Sequence, residues 1–181
     1  MKSILFVNQK GGVGKTLLAD NCASYFEKKG KISFIDLDQQ GGAIHKTNVD
    51  PEAEHQIIDT PGALQDNMKK WIKSADVVVI PTRCTSLEMP PLKTMMDLIS
   101  DFDKSKFIIV FNCWNRCKGT ARFINWFSLA YPGYKTFLMP NSIVLSDAAE
   151  SLQSVFDYKP NHKSAETMSD LMKLIEITLG E

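Results

Sequence analysis

The chain has 181 residues, 44% of them hydrophobic and 23% charged, a size and balance that suit one globular domain over 1–181 with a sizeable core. Its 21 basic and 21 acidic side chains cancel to a formal charge of +0, which argues against a strongly basic nucleic-acid binder overall and leaves local patches to be read separately. No apolar run approaches the roughly 18 residues of a membrane span, and Met1-Lys2-Ser3 lacks a signal-peptide layout, so a cytoplasmic protein without membrane attachment is expected.

Short β-rich apolar runs alternate with helical patterns along the chain, the signature of an α/β fold with a mostly parallel sheet covered by helices on both faces. The first strand is expected at 4–8. A helix over 15–29 follows, with Leu18, Cys22, Tyr25 and Phe26 on one face and Gly30, a good C′ residue, as its stop. Between them lies Gln9-Lys10-Gly11-Gly12-Val13-Gly14-Lys15-Thr16, which reads as a phosphate cradle. The glycines let backbone N–H groups approach phosphate oxygens, and the following helix offers the positive end of its dipole. Lys15 would reach the terminal phosphates, and the Thr16 hydroxyl would take a place on Mg²⁺. The plain phosphate-loop pattern wants glycine where Gln9 stands, and Lys10 adds a second cation that one such loop does not need.

A second strand at 31–35 runs into Asp36-Leu37-Asp38-Gln39-Gln40-Gly41, which places two carboxylates at the sheet edge where α/β folds bind ligands. Residues 39–58 form a turn-rich connection without a clear apolar period. Gln56-Ile57-Ile58-Asp59-Thr60-Pro61-Gly62 is the third strand and its end, with Asp59 placed to bind Mg²⁺ through water and Gly62 allowing close approach to a γ-phosphate. DTPG also occurs in translation-type GTPases, but the guanine-reading NKxD they need is replaced after the fifth strand by Asn112-Cys113-Trp114-Asn115, which favours adenine.

A helix is expected over 63–75, with Leu64, Met68, Trp71 and Ile72 as a core stripe. A buried strand over 76–81 and a helix opening at 87–92 follow, its prolines tolerated in the first turn. Strands are expected at 106–111 and 135–139. From Lys104 through Ser146 the chain has no Asp or Glu but six cations, Lys104, Lys106, Arg116, Lys118, Arg122 and Lys135, interleaved with Trp114, Phe123, Trp126, Phe127 and Tyr131. Arg116, Lys118 and Arg122 suit a phosphate-backbone contact near a helix start, or else form a solvated face over core aromatics. The last helix, 164–179, carries Met168, Leu171, Met172 and Ile175 on one face. Its acids outweigh Lys173, unlike a basic membrane-surface helix. Cys22, Cys84, Cys113 and Cys117 have no CxxC pair, and His45, His55 and His162 have no ligand spacing, so packing thiols are expected.

The KGGVGKT run at 10–16 resembles the deviant Walker A motif of the ParA/MinD ATPases, and 36–41, 57–62 and 145–166 resemble further segments of that family. The resemblance implies a P-loop NTPase fold binding ATP and Mg²⁺ through Gly11, Gly12, Val13, Gly14, Lys15, Thr16 and Leu17. Asn112, Pro140 and Asn141 would lie at the adenine. Thr16, Asp36 and Asp59 would serve the metal, Asp38 the attacking water, and Lys10 the nucleotide of a partner subunit. Glu88 stands where the family commonly has Asp and receives no catalytic role. The implied function is a small ParA-type partition ATPase, weak without its partner and nucleoid-associated. It would form an ATP-dependent homodimer, bind DNA non-specifically and respond to a ParB-type centromere-binding adaptor. A MinD-like membrane-recruited ATPase, a GTPase and a degenerate nucleotide-binding scaffold remain alternatives.

Overall fold

Alternation along the strands decides which layer each residue joins. In β1 (Lys2–Phe6) and the residue after it, Ile4 and Phe6 enter one core while Leu5 and Val7 enter the other, all fully buried. The computed structural model describes residues 1–38, 42–62 and 67–181. Within them the order is β1, α1 (Lys15–Glu27), β2 (Ile32–Asp36), β3 (His55–Asp59), α2 (Met68–Ser74), β4 (Val77–Arg83), α3 (Met89–Ile99) and β5 (Phe107–Trp114). The chain continues with α4 (Lys118–Ala130), β6 (Lys135–Pro140), α5 (Ile143–Glu150), α6 (Val155–Tyr158) and α7 (Lys163–Leu179).

The six strands form one sheet in the order β2-β3-β1-β4-β5-β6, and every neighbouring pair is parallel. A wholly parallel sheet must be covered on both faces. Here α1, α5, α6 and α7 cover one side, around Phe26, Leu171 and Ile175. Helices α2, α3 and α4 cover the other, around Ile72, Leu92 and Phe127. Each such buried side chain contributes roughly 1.5–3 kcal/mol against exposure. Strand β1 lies between β3 and β4, so the loop after it emerges in mid-sheet with ligand-facing edges on both sides. The expected α/β architecture is therefore observed, as a single domain.

Several boundaries differ from the sequence reading. The first helix ends at Glu27 and Gly30 is not left-handed. The chain turns instead through Lys28, with Gly30 N–H still donating to the Phe26 carbonyl at 3.1 Å. Strand β5 runs to Trp114, past the expected end at 111, because β6 follows it across a register shift between Phe111 and Trp114. Helix α2 starts at Met68; residues 63–66, including Leu64 of the expected stripe, lie outside the described residues, as do Gln39, Gln40 and Gly41. Residues 42–54 carry no helix, and Asn48 bridges antiparallel to Phe34 on the sheet edge.

Candidate functional site

The loop between β1 and α1 is built to expose backbone donors. Asn8 is buried, donates through Nδ2 to the Pro81 carbonyl at 2.7 Å, and accepts the Lys10 N–H on Oδ1 at 3.0 Å, which pins the start of the loop to β4. Gly12 (φ 71°) and Gly14 (φ 98°) are left-handed, a conformation that side chains with a Cβ rarely adopt. Gly14 caps α1 with no side-chain acceptor, and no acid stands in the first turn, so the helix leaves its N–H groups unclaimed by side chains there. A cavity of about 510 Å³ opens beside them, lined by Gly11, Gly12, Gly14, Lys15, Thr16, Leu17, Asp38, Pro61 and Gly62.

Lys15 is 5% exposed and its ammonium donates to the Lys10 carbonyl at 3.3 Å. Burial lowers its pKa, while the charges of Asp59 and Asp38 pull it back. Thr16 Oγ1 donates to Asp59 Oδ2 at 2.6 Å. Asp59 is fully buried and its Oδ1 has no hydrogen-bond partner among the described residues. Burial pushes its carboxyl up to about 6, with Asp36 and Asp20 adding, against the Thr16 hydrogen bond and Lys15. A desolvated carboxylate with an orphaned oxygen beside a hydroxyl is a setting that a divalent cation would relieve. Asp36 stands opposite Asp59 in the β2–β3 register, and its Oδ1 accepts the Asp38 N–H at 2.8 Å. Thr16, Asp59 and Asp36 thus fit Mg²⁺, which would draw its remaining ligands from phosphate and water. Among the described residues no group of three or more His, Cys, Asp or Glu forms a metal cage by itself.

The two lysines of the loop behave differently. Lys10 does not line the cavity; its Nζ lies 2.8 Å from Glu88 Oε1, whose side chain is 6% exposed and whose Oε2 has no partner among the described residues. Glu88, given no role from the sequence, is the residue that reasoning missed. Two signals were available, an acid two residues before a Pro-Pro pair at a helix start and its place where the resembled family commonly has Asp.

Asn112 is buried against the loop, its Nδ2 donating to the Val13 carbonyl at 2.8 Å, and a Cβ on Gly14 would come within 2.2 Å of that nitrogen. Pro140 and Asn141 line a separate cavity of about 310 Å³ with Trp114, Arg116 and His162, away from the phosphate cavity. Of the six cations, Arg116, Lys118 and Arg122 are exposed around the start of α4 on the ligand edge. The other three serve the opposite edge. Lys106 donates to the carbonyls of Ile72 and Ala75, Lys104 to that of Pro132, and Lys135 to that of Ser105. The aromatics between them pack together, with Phe111 meeting Phe123 and Phe127 edge-on.

Comparisons with known proteins bear on the amino-terminal segment and on the fold. A family model described as an AAA domain matches residues 1–57. The chromosome-partitioning ATPase Soj of Thermus thermophilus is 50% identical over 44 residues, 24% of this chain and 18% of that protein. An uncharacterized protein of Borreliella burgdorferi is 55% identical over 40 residues, 22% of this chain and 16% of that protein. The matches thus span less than a fifth of the length of either relative. Among solved structures, the ATP complex of a Cyanothece McdA variant superposes with a TM-score of 0.78 at 15% identity, covering 99% of this chain and 96% of that one. A ParA-family ATPase from Chlorobium tepidum gives 0.74 at 13% identity (95% and 97%), and MinD of Aquifex aeolicus 0.73 at 14% (100% and 98%). In the segment around its phosphate loop the chain is similar to a chromosome-partitioning ATPase, and it shares the fold of the McdA, ParA-family and MinD structures.

Proposed function

We propose that this chain is a ParA-type ATPase in which MgATP binding and pairing of two copies are one event, with the paired form holding DNA non-specifically. The observation that carries the reading is the division of labour between the two loop lysines. Lys15 is buried and lines its own phosphate cavity; Lys10 stays outside that cavity, about one-third exposed and paired with Glu88, which supports a role for it beyond its own chain's nucleotide. In the bound state Lys15 neutralises terminal phosphate charge, and the Thr16 hydroxyl, Asp59 and Asp36 hold Mg²⁺, which supplies charge neutralisation at the phosphates. Asp38 orients water toward the γ-phosphate from the cavity wall, and Lys10 of each copy adds a cation to the opposite nucleotide. Asn112, Pro140 and Asn141 would border the adenine once the loop takes up nucleotide. Hydrolysis is slow until an adaptor of the ParB type completes the site, and its cycle moves plasmid or chromosome cargo over the nucleoid in the cytoplasm.

Exposed Arg116, Lys118 and Arg122 supply the phosphate-backbone contact of the paired form, on the same edge as the ATP cavity. A MinD-like reading stands as the alternative, because MinD of Aquifex aeolicus superposes as well as the ParA-family ATPase; on α7 the exposed positions include the acids Glu166 and Asp170. No helix among the described residues is long and apolar enough to cross a membrane.

Light scattering of the eluting chain, with and without a non-hydrolysable ATP analogue, tests the reading. The wild-type chain should double in mass with the analogue. Lys10→Ala should lose that doubling while its ATP affinity stays within about threefold, because an exposed cation outside the cavity contributes little to its own chain's nucleotide. A wild-type chain that stays monomeric with the analogue bound would sink the proposal.

A further inference from the structure

Outside the phosphate site, three of the four thiols converge. β4 and β5 are parallel neighbours, so their carboxyl ends and the first turn of α4 enclose one cavity of about 710 Å³, lined by Cys84, Cys113 and Cys117 together with Arg83 and Arg122. Such a volume is typical of small-molecule sites. The three sulfurs are not equivalent. Cys84 is buried, and that burial, with Cys113 and Cys117 adding, pushes its thiol up to about 12, which keeps it an inert thiol at neutral pH. Cys113 is half-buried within β5. Cys117 is exposed and caps α4, its sulfur 3.4 Å from the Thr120 N–H it accepts and 3.3 Å from Thr120 Oγ1. Thr120, by side chain and then backbone, holds the Cys117 thiol below its ordinary range, with the Gly119 N–H and the Arg122 charge helping.

We infer that Cys117 is a thiol-modification site for an anionic small-molecule disulfide, with Cys117 as the attacking sulfur and the guanidinium groups of Arg83 and Arg122 holding the reagent's carboxylates. Arg83 at the end of β4 and Arg122 in α4 both line the cavity and offer forked donors that match carboxylate geometry, which selects among disulfides by charge. In the step, the Cys117 thiolate attacks one sulfur of the disulfide. A new S–S bond forms, the old one breaks, and the electron pair leaves on the far sulfur as a thiolate. Cys117 is oxidised and half of the reagent is reduced, so no further oxidant is needed. The site stands apart from the phosphate cavity and does not depend on the chain being an ATPase.

The probes are oxidised glutathione, which is anionic, and bis(2-hydroxyethyl) disulfide, which is neutral, applied to the whole chain and read by peptide mass spectrometry. Cys117 should form the glutathione adduct about tenfold faster than Cys113 or Cys84, as thiolate fraction and access dictate. Cys117→Ser, which keeps a capping oxygen, should abolish that adduct while its urea midpoint shows the chain still folded. In the double variant Arg83→Gln/Arg122→Gln, the ratio of the glutathione rate to the neutral-reagent rate should fall about fivefold, a measure that cancels any effect of arginine on the thiolate itself. Equal labelling of Cys113 or Cys84, or an unchanged rate ratio, would overturn the assignment.

Discussion

Helices α1 and α4 make a natural pair. Each has 13 residues, follows a buried parallel strand and starts at the same edge of the sheet. They differ in how that start is finished. At α1 a left-handed Gly14 caps without offering a side chain, and the first-turn N–H groups face a cavity. At α4 the Cys117 sulfur accepts the Thr120 N–H, and the Thr120 hydroxyl in turn donates to Asn115 Oδ1 at 3.0 Å. An anion site is therefore marked less by the presence of a helix end than by donors the protein declines to satisfy. The flanks differ as well. Helix α1 buries Asp20, Asn21 and Ser24, with Asp20 accepting from Ile44 N and His45 N and Asn21 from Val155 N. Helix α4 is seated mainly by aromatic packing of Phe123 and Phe127 on Phe111. The open end is thus steadied by directional bonds, and the closed end by shape.

The largest effect should come from removing the first cation of the open helix. Lys15→Ala should weaken MgATP binding by about 100-fold in titration calorimetry, since it loses a charge-assisted contact in a desolvated site. Lys118→Ala, at the matching first position of α4, should change that affinity by less than about twofold; comparable losses would break the comparison. Next, Gly14→Ala must hold a Cβ at φ 98°, within 2.2 Å of Asn112 Nδ2, and should lower the unfolding free energy by about 2–3 kcal/mol. Gly119→Ala meets nothing nearer than the Cys117 sulfur at 3.7 Å and should be neutral or stabilising by about 0.5–1 kcal/mol in the same urea titration. A smaller difference separates two changes at the closed end: Cys117→Ala should cost about 1 kcal/mol and Cys117→Ser less than half of that.

The smallest expected effect lies on the flank of α1. His45 Nδ1 lies 2.9 Å from Asp20 and Nε2 3.3 Å from Glu27. Burial lowers the imidazole pKa, but hydrogen bonds and charges from Asp20 and then Glu27 outweigh it, so the folded value lies above the ordinary 6.5. A raised histidine pKa stabilises fully below the unfolded value, and that contribution is lost as pH rises through the folded one. Urea midpoints from about pH 6 to 8 should therefore fall more steeply for the wild-type chain than for His45→Gln; parallel curves would remove His45 from the tie between α1 and the 42–45 segment.

Much of the fold was legible because the strands are short apolar runs whose burial on both faces matches a parallel sheet, and because the loop at 9–16 combines glycines with a lysine and a threonine at phosphate spacing. What was misread had tertiary causes. Gly30 looked like a helix stop, yet the chain turns at Lys28 without a left-handed residue. Lys104, Lys106 and Lys135 read as part of one basic stretch, but the strand direction of β5 and β6 carries them to the edge away from the ligand. Glu88 stood at a position where the resembled family commonly has Asp, but nothing local announced its pairing, since its partner Lys10 belongs to a loop far earlier in the chain.

From residues alone came the chemistry of the phosphate loop and the two-faced strands that demand helices above and below, because both are local patterns of side-chain type and backbone freedom. Tertiary structure alone decided which distant groups complete the loop: Asp59 against Thr16 across 43 residues, Asn112 against Val13 across 99, and Glu88 against Lys10. The reason is that strand order and register set these meetings. Both follow from how the whole set of apolar faces packs at once, and no single segment carries that information.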